Sequence, residues 1–368
     1  MPETGTISLA SILRKKTAPG TLVREAEGGR IECVACGHRC RIAPGREGVC
    51  RVRFNDGGRL MVPWGYVGGV QIDPVEKKPF FHFLPGSRAL SFGMLGCDYH
   101  CSYCQNWITS QAVRDPRAQP DTDSTSPEDL VKIALEYDAG IITSTYNEPL
   151  ITSEWAVEIF TIARKSGLMT SYVSNGNGTP EVIEYLKPWV DAYKVDLKGF
   201  DDRRYRQLGG VLSRVTDTIA MLHAKGFWLE IVTLVIPGFN DSEGEMKDLA
   251  GFIASVSRDI PWHVTAFHPD YRMDDVQNTP VRSLLRAASI GRDAGLRFVY
   301  AGNLPGLVGD YENTRCPGCS GTVIERSGFT VLSNRLVDGR CGHCGGKIPG
   351  VWNPPGHPAR RITRYPSL

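Results

Sequence analysis

The chain is predicted to fold as an α/β protein: a partial (β/α)6 TIM-like barrel, with a small N-terminal cysteine-containing unit and a C-terminal zinc ribbon. Strand and helix patterns alternate through residues 89–305, which favours a parallel sheet. A cysteine-rich loop follows the first of these strands, and the eleven cysteines of the chain fall into three groups with none left over. We therefore expect units over 1–88, 89–305 and 306–352, and a Pro-rich tail over 353–368.

The barrel strands are predicted from short apolar runs and the helices from capping signals. Ser126, followed by Pro127 and two acids, has the pattern of a helix start, and this helix should run to about Ala139, with Gly140 ending it. The strands are expected at 89–95, 141–145, 168–173, 191–197, 228–235, 263–267 and 297–300. The other helices are expected after Thr179 and near 151–165, 213–224, 243–257 and 280–293.

Composition and charge are those of an ordinary globular protein. The 368 residues carry 42 basic and 40 acidic side chains, a net charge of +2, which gives no reason to expect a nucleic-acid or membrane partner. No apolar run approaches the roughly 18–20 residues that span a bilayer, and residues 1–5 lack the pattern of a signal peptide. We expect a cytoplasmic protein, in which eleven cysteines indicate metal sites rather than disulfides.

The central cysteines, Cys97, Cys101 and Cys104, form a C-x3-C-x2-C run. Cubane [4Fe–4S] clusters are normally held by four thiolates, so three thiolates leave one iron open to a substrate or cofactor. The same spacing would also place the cysteines on one face of a helix, as a small apolar stripe. Polar neighbours such as Asp98 and His100 argue against the stripe, and the run is predicted to hold a cluster.

Cysteines near the C-terminus form two C-x2-C pairs, Cys316 with Cys319 and Cys341 with Cys344. This pattern is typical of a zinc ribbon, in which four thiolates surround the metal tetrahedrally. A second iron–sulfur cluster is the alternative.

The N-terminal cysteines, Cys33, Cys36, Cys40 and Cys50, can close another four-thiolate site. Their spacing fits zinc and a second [4Fe–4S] cluster about equally, and His38 is a candidate substitute ligand. Zinc in this group would be structural, whereas a cluster would relay electrons.

Polar residues follow five of the predicted strands. Each segment alone would pass for an ordinary turn, because Asn, Asp, Gly and Pro are turn formers. Five such segments at one rim of a parallel barrel indicate a site, since the carboxyl ends of the strands carry the chemistry in such folds. The segments are 146–149, 174–177, 196–199, 237–241 and 268–271.

The central run, with the aromatic Tyr103 before its last cysteine, resembles the radical S-adenosylmethionine (SAM) superfamily. The hallmark of that superfamily is C-x3-C-x-aromatic-C after the first strand of a parallel barrel. With further segments the chain looks like the radical SAM component of the AmmeMemoRadiSam system, related to pyruvate formate-lyase activating enzymes, over roughly residues 30–352. These segments are the N-terminal four-cysteine unit, Lys78-Pro79-Phe80-Phe81-His82-Phe83-Leu84-Pro85-Gly86-Ser87, Cys104-Gln105-Asn106-Trp107, Tyr146-Asn147-Glu148-Pro149 and the end of the ribbon at Ile348-Pro349-Gly350-Val351-Trp352.

The resemblance implies a SAM site beside the cluster. Glu148 would bind the amino group of SAM, although the two glycines of the usual Gly-Gly-Glu-type motif are absent and Asn147 precedes the acid instead. Asn175, beside Ser174, would contact the ribose or the carboxylate. Tyr103 would also lie against the cofactor.

Two further positions follow from the resemblance. Asp196 and Lys198 match an Asp-Leu-Lys motif that lies near SAM and the substrate in activating enzymes for pyruvate formate-lyase. His268 would be a general acid or base, or else an ordinary rim histidine. Lys198 and His268 would then belong to the catalytic residues, together with the three central cysteines.

The implied activity is reductive cleavage of SAM at the [4Fe–4S] cluster to a 5′-deoxyadenosyl radical, which abstracts hydrogen from a small molecule or a partner protein. A glycyl-radical enzyme activase and a non-enzymatic metal-binding scaffold are the alternatives. The implied partners are an electron donor such as flavodoxin or ferredoxin, and Memo-like and AMMECR-like proteins.

Overall fold

The structure of the protein, a computed structural model, describes residues 8–353. The Pro-rich tail predicted over 353–368 lies, apart from its first residue, outside the described residues. Within residues 8–353, no helix combines the length and the apolar surface that crossing a membrane requires.

The N-terminal part consists of one short helix and small antiparallel sheets. Its elements are α1 (Leu9–Lys15), β1 (Thr17–Pro19), β2 (Val23–Glu25), β3 (Ile31–Cys33), β4 (Arg41–Ile42), β5 (Phe54–Asp56), β6 (Arg59–Pro63), β7 (Tyr66–Val67), β8 (Gly69–Pro74) and a 3-10 turn at Val75–Lys77. Two sheets of three strands have the orders β1-β6-β5 and β2-β3-β4. The first two N-terminal cysteines therefore lie at and just beyond the end of β3.

Seven parallel strands form the centre of the fold, as the sequence predicts. They are β9 (Arg88–Gly93), β11 (Ala139–Ser144), β12 (Met169–Ser174), β13 (Ala192–Asp196), β14 (Trp228–Val235), β15 (Trp262–Ala266) and β16 (Val299–Gly302), while β10 (Asp123–Ser124) pairs with β7 outside this sheet. The order is β16-β15-β14-β13-β12-β11-β9-β8, with β8 antiparallel to β9. The sheet is open between β16 and β8, in agreement with a barrel that is only partial.

Helices alternate with these strands. They are α2 (Trp107–Ser110), α3 (Pro127–Glu136), α4 (Ser153–Lys165), α5 (Pro180–Leu186), α6 (Asp202–Gln207), α7 (Leu212–Ala224), α8 (Glu243–Val256) and α9 (Val281–Asp293), with a 3-10 turn at Pro149–Thr152. Ser126 caps α3 in a capping box with Asp129, which confirms the predicted start.

Several predicted boundaries differ from the observed ones by a few residues, and two of these differences have a clear local cause. Helix α3 ends at Glu136 rather than near Ala139, because Asp138 takes a left-handed φ of 52° and Ala139 already begins β11. The last strand begins at Val299 rather than at 297, because the backbone N–H of Arg297 donates to a carbonyl oxygen in the α8–β15 connection, 3.0 Å away.

The C-terminal part is a small antiparallel unit that contains the two C-x2-C pairs. Its elements are a 3-10 turn at Gly309–Glu312, β17 (Thr314–Arg315), β18 (Thr322–Ser327), β19 (Thr330–Asn334), β20 (Leu336–Val337) and β21 (Arg340–Cys341). Strand β19 lies between the two C-x2-C pairs, and Phe329 lies in the turn before it. This arrangement agrees with the predicted ribbon.

Residues 80–84 lie between the parallel sheet and the C-terminal unit. The backbone N–H groups of Phe81 and His82 both donate to Glu230 of β14, each at 2.9 Å. The His82 carbonyl oxygen accepts from the N–H of Val351 at 2.8 Å, and Arg326 donates to the Phe81 carbonyl oxygen at 2.8 Å. The segment is thus hydrogen-bonded to chain on both sides of it.

Candidate active site

The central cysteines lie in a loop directly beyond the carboxyl end of β9. The strand ends at Gly93, and the next helix begins only at Trp107. Gly93 lets the ends of β9 and β11 approach closely, because a Cβ there would lie 2.5 Å from the Thr145 carbonyl oxygen. The alternative of an apolar stripe on a helix is therefore wrong, and the three cysteines line one cavity instead.

The three thiols have surroundings that suit metal binding. Tyr99 donates its backbone N–H to the Cys97 sulfur at 3.4 Å, and the Cys104 sulfur lies 3.1 Å from the Ser110 hydroxyl oxygen. Burial raises the pKa of the Cys101 thiol to about 12, so binding of a metal must displace its proton. Burial and hydrogen bonds to sulfur are features that tune iron–sulfur clusters. The residues present fit a [4Fe–4S] group with three thiolate ligands.

A cavity of about 610 Å³ lies at the carboxyl ends of the parallel strands. Side chains from four of the five predicted rim segments line it. The segment after β14 does not, because Asn240 is buried and donates to the carbonyl oxygens of Lys198 and Leu234, which fixes a turn. The predicted residues that line the cavity are Tyr103, Asn147, Glu148, Ser174, Asn175, Asp196, Lys198 and His268.

Glu148 is a buried carboxylate at the end of β11, 2% exposed. One of its oxygens accepts from the Ser174 hydroxyl at 2.7 Å and from the Leu150 N–H at 3.1 Å, and the other accepts from the Asn175 N–H at 2.8 Å. Burial, followed by the charge of Asp98, raises its pKa to about 8. The carboxyl is therefore largely neutral at pH 7 unless a cation approaches and favours its ionised form.

Asp98, which the sequence analysis did not single out as a site residue, organises the cysteine loop. It is fully buried. Its two oxygens accept from the side-chain amides of Asn175 at 2.7 Å and of Asn177 at 2.8 Å. The amide of Asn175 is thus directed at the cysteine loop, and its contact with a cofactor stays a prediction. The sequence offered one signal for this role of Asp98, namely an acidic residue between Cys97 and Cys101.

Lysines enclose Asp196 at the end of β13. Its carboxylate pairs with Lys194 through one oxygen and lies 3.6 Å from the Lys198 ammonium through the other. Burial raises the pKa of Asp196, but the two lysines outweigh it and keep that pKa below its usual value. Lys194 was missed, although its two-residue spacing from Asp196 in a strand places both on one face.

Tyr103 and His268 differ in exposure. Tyr103 is buried, and its ring meets the Phe239 ring edge-on at 5.7 Å between centroids. His268 is exposed; its Nε2 accepts from the side-chain amide of Gln105 at 3.0 Å, and its Nδ1–H donates to the Pro269 carbonyl oxygen at 3.2 Å. These two contacts orient the ring of His268 at the open side of the cavity.

The side of the cavity formed by residues 71–81 carries charged groups that the sequence analysis did not assign to the site. Lys78 is buried and donates to Asp73 at 2.7 Å, and its ammonium lies 5.1 Å from the centroid of the Tyr146 ring. At the floor, His263 donates to the buried Glu230 at 2.7 Å. Glu230 and His263 could have been noticed in the sequence, because each is a titratable residue inside an otherwise largely apolar strand.

The C-terminal cysteines converge as a zinc site requires. Their sulfurs all lie within 4.8 Å of one another, with Cys316 to Cys344 at 3.6 Å and Cys319 to Cys341 at 3.7 Å. A tetrahedron with Zn–S bonds of about 2.3 Å has edges of about 3.8 Å. The geometry therefore fits one zinc ion. His343 directs its Nε2 to the Thr322 carbonyl oxygen at 3.2 Å, as a turn residue.

The N-terminal cysteines lie in one loop region around β3 and β4. Cys33, Cys36 and Cys50 are buried, and Cys40 is half-buried. The Val49 N–H donates to the Cys40 sulfur at 3.4 Å. The identity of the metal at this site stays a prediction.

The sequence of the chain is similar to those of known proteins. The family model described as Radical SAM superfamily matches residues 93–250. Uncharacterized protein MJ0808 of Methanocaldococcus jannaschii is 35% identical over 326 residues, which are 88% of this chain and 96% of that protein. The pyruvate formate-lyase-activating enzyme of Clostridium pasteurianum is 24% identical over 211 residues, 52% of this chain and 85% of that enzyme.

A third relative covers less of the chain. The isethionate sulfite-lyase activating enzyme of Oleidesulfovibrio alaskensis is 27% identical over 130 residues, 34% of this chain and 42% of that enzyme. The matched family region includes the three-cysteine loop and the ends of β11, β12 and β13 that line the cavity. The chain belongs to the radical SAM superfamily.

Proposed function

We propose that the protein binds SAM beside a [4Fe–4S] cluster held by Cys97, Cys101 and Cys104, cleaves it reductively to a 5′-deoxyadenosyl radical, and so removes a hydrogen atom from a substrate. One observation carries the proposal: the three thiols and the buried Glu148 line the same cavity. The division of labour is the usual one for cofactor enzymes, in which the cofactor supplies the chemistry and the protein positions it.

Glu148 is the residue best suited to hold the amino group of SAM. Its oxygens are fixed by three hydrogen-bond donors, so the carboxylate is oriented before a ligand arrives. A carboxylate that accepts from an amino group makes a short, strong hydrogen bond in a buried site. Ser174 and Asn175 hold Glu148, and Asp98 in turn holds the Asn175 side chain.

Exclusion of water from the reacting atoms falls to the two flanking parts of the chain. Residues of the N-terminal part, including Lys78 and Phe81, form one wall of the cavity, and Phe329 of the β18–β19 turn lies at its edge. Phe329 is 41% exposed, so a bound substrate can bury it further. This arrangement supports a role for the two flanking units in covering the site.

The substrate is a small molecule or a side chain of a partner protein. A cavity of about 610 Å³ is within the range of roughly 300–1,000 Å³ that holds one drug-sized molecule, so SAM itself fills much of it. Glycyl-radical activation is the second candidate, favoured by the names of two relatives and by Asp196-Leu197-Lys198. A metal-binding scaffold is disfavoured, because a scaffold has no need of a buried carboxylate in an open cavity.

Partners belong to the same proposal. The cluster needs one electron for each cleavage, which a flavodoxin or ferredoxin would deliver. Memo-like and AMMECR-like proteins remain proposed partners on the strength of the sequence resemblance. We also propose that the C-terminal unit holds zinc and that the protein acts in the cytoplasm.

Product analysis tests the proposed function. The protein is purified without oxygen, supplied with iron and sulfide, mixed with SAM and dithionite, and assayed for 5′-deoxyadenosine by mass spectrometry. We expect the product from the natural sequence and from Ser102→Ala, a loop control, and none from Cys101→Ala. Glu148→Gln should raise the SAM concentration needed, whereas the exposed control Glu158→Gln should not. A loaded cluster without product would refute the proposal.

A further inference from the structure

The four N-terminal cysteines are packed directly against the loop of the central cysteines. Gly96, next to Cys97, faces the backbone before β5: a Cβ on Gly96 would lie 3.2 Å from the Cys50 carbonyl oxygen and 2.9 Å from Val52. Arg114 joins the same two stretches, because its guanidinium donates to the Cys97 carbonyl oxygen at 2.7 Å and to the Val49 carbonyl oxygen at 2.5 Å. The two cysteine groups are therefore immediate neighbours.

A second set of contacts runs through the loop between Cys36 and Cys40. The Gly37 N–H donates to the Asn177 carbonyl oxygen at 2.8 Å. Nε2 of His38 lies 3.9 Å from a carboxylate oxygen of Asp98. Asp98 immediately follows Cys97 in the chain. Contacts within the folded chain thus link the two cysteine groups from this side as well.

The spacing of the sulfurs separates the three cysteine groups into two kinds. The C-terminal four lie at zinc distances, with every pair within 4.8 Å. Among residues 8–353, neither the central group nor the N-terminal group contains three ligand atoms that are all so close. Thiolates around a cubane bind different irons and stand further apart than thiolates on one zinc ion. The sulfurs of the N-terminal group therefore do not lie at the distances of one zinc ion, and the wider spacing of a cubane is compatible with them.

The surface outside the N-terminal group is basic. Arg41, Arg46 and Arg51 are exposed there. Two acids are neighbours: Glu32 lies 3.8 Å from Arg41 and also pairs with Arg39, and Glu47 lies 3.7 Å from Arg14, so the arginines remain in excess. Cys40 is the least buried of the four cysteines. Exposed positive charge next to a half-buried redox group favours docking of an acidic protein.

We propose that Cys33, Cys36, Cys40 and Cys50 bind a second [4Fe–4S] cluster, which receives electrons from an acidic one-electron carrier protein and passes them to the cluster at Cys97, Cys101 and Cys104. Each cycle moves one electron: the carrier is oxidised as the second cluster is reduced, and the second cluster is reoxidised as the central one is reduced. No bond is made or broken at the N-terminal site. The relay rests on the proposed function, but the metal site itself does not.

Metal analysis of a full-length variant tests the site. Cys97→Ala/Cys101→Ala/Cys104→Ala removes the central ligands, so any cluster that remains belongs elsewhere. After anaerobic treatment with iron and sulfide, we expect about four irons, about four sulfides and about one zinc per chain, with an electron paramagnetic resonance signal after dithionite. About two zincs without iron would overturn the proposal. Loss of both metals would also overturn it, provided that circular dichroism shows a folded chain.

A second experiment tests the basic entry surface, which is the exposed surface formed by Arg41, Arg46 and Arg51. It uses cluster-loaded protein and a reduced [2Fe–2S] ferredoxin as the electron carrier. We expect Arg41→Glu/Arg46→Glu to slow electron uptake at least about tenfold at low salt, and high salt to remove the difference. Reduction by dithionite and the iron content should not change. The matched control is Arg282→Glu/Arg286→Glu, on the outer face of α9. Equal uptake rates for both variants would refute the basic entry surface. Product formation by the natural sequence with dithionite separates this failure from failure of the proposed function.

Discussion

Glu148 makes the stability of the cofactor-free protein depend on pH. Its pKa is raised from the usual 4.5 to about 8, so between these values the folded state binds a proton that the unfolded state has released. Its contribution to stability is fully present below about pH 4.5 and is lost as the pH rises through about 8. Glu148→Gln removes the titration without changing the size of the side chain. Any fixed cost of placing the Gln amide near the Asn175 N–H is the same at every pH.

The magnitude follows from the shift. At about 1.4 kcal/mol per pKa unit, the penalty on the folded state is about 2 kcal/mol at pH 6 and about 5 kcal/mol at pH 9. The free energy of unfolding of the natural sequence should therefore fall by about 2–3 kcal/mol, relative to Glu148→Gln, over this range.

Urea unfolding followed by tryptophan fluorescence measures the difference. Both proteins carry Cys97→Ala/Cys101→Ala/Cys104→Ala, so that no cluster forms beside the carboxyl group. Glu158→Gln, exposed on α4, provides the control. If the stability curves of the protein with Glu148 and of the Glu148→Gln variant stay parallel from pH 6 to pH 9, the carboxyl group is not buried as described and the reasoning fails.

Three other changes have expected outcomes. Arg53→Met leaves Glu154 buried without its partner, 2.7 Å away, and should cost about 3–5 kcal/mol in urea unfolding, much of it restored by Arg53→Met/Glu154→Leu; an unchanged midpoint would contradict the buried pair. Asp98→Ala leaves two side-chain amides without their acceptor, so it should cost about 1–3 kcal/mol for each and weaken SAM binding measured by calorimetry; unchanged stability and affinity would contradict its organising role. Cys319→Ala should abolish zinc binding in metal analysis and lower the melting temperature; retention of stoichiometric zinc would rule out the four-thiolate site.

The sequence predicts those parts of the fold whose cause is local. Apolar runs mark the parallel strands, and the capping Ser126 marks the start of α3, because both signals are contained within a few residues. The cavity residues at the ends of β11, β12 and β13 could be found for a similar reason: parallel strands bring their carboxyl ends to one rim, whichever way the loops run.

Long-range contacts could not be predicted in this way. Nothing near Asp98 in the sequence indicates that it accepts from Asn175, which is 77 positions away. The antiparallel pairing of β8 with β9 and the approach of Phe329 to the cavity likewise depend on how distant parts of the chain pack. Asn240 has the residue type of a ligand, but three hydrogen bonds to nearby backbone occupy its side chain.

The contacts of residues 80–84 affect the order in which the parts of the protein can fold during synthesis. Among the hydrogen-bonding partners of this segment that are distant in sequence, Glu230 of β14 emerges first from the ribosome, and Arg326 and Val351 emerge later. Contacts so distant in sequence form late, because the intervening chain must first be ordered. With the zinc that we propose for it, the C-terminal unit would also depend on metal for folding. A cell short of zinc should therefore accumulate chains whose cavity wall is unfinished, and cluster insertion should follow zinc binding rather than precede it.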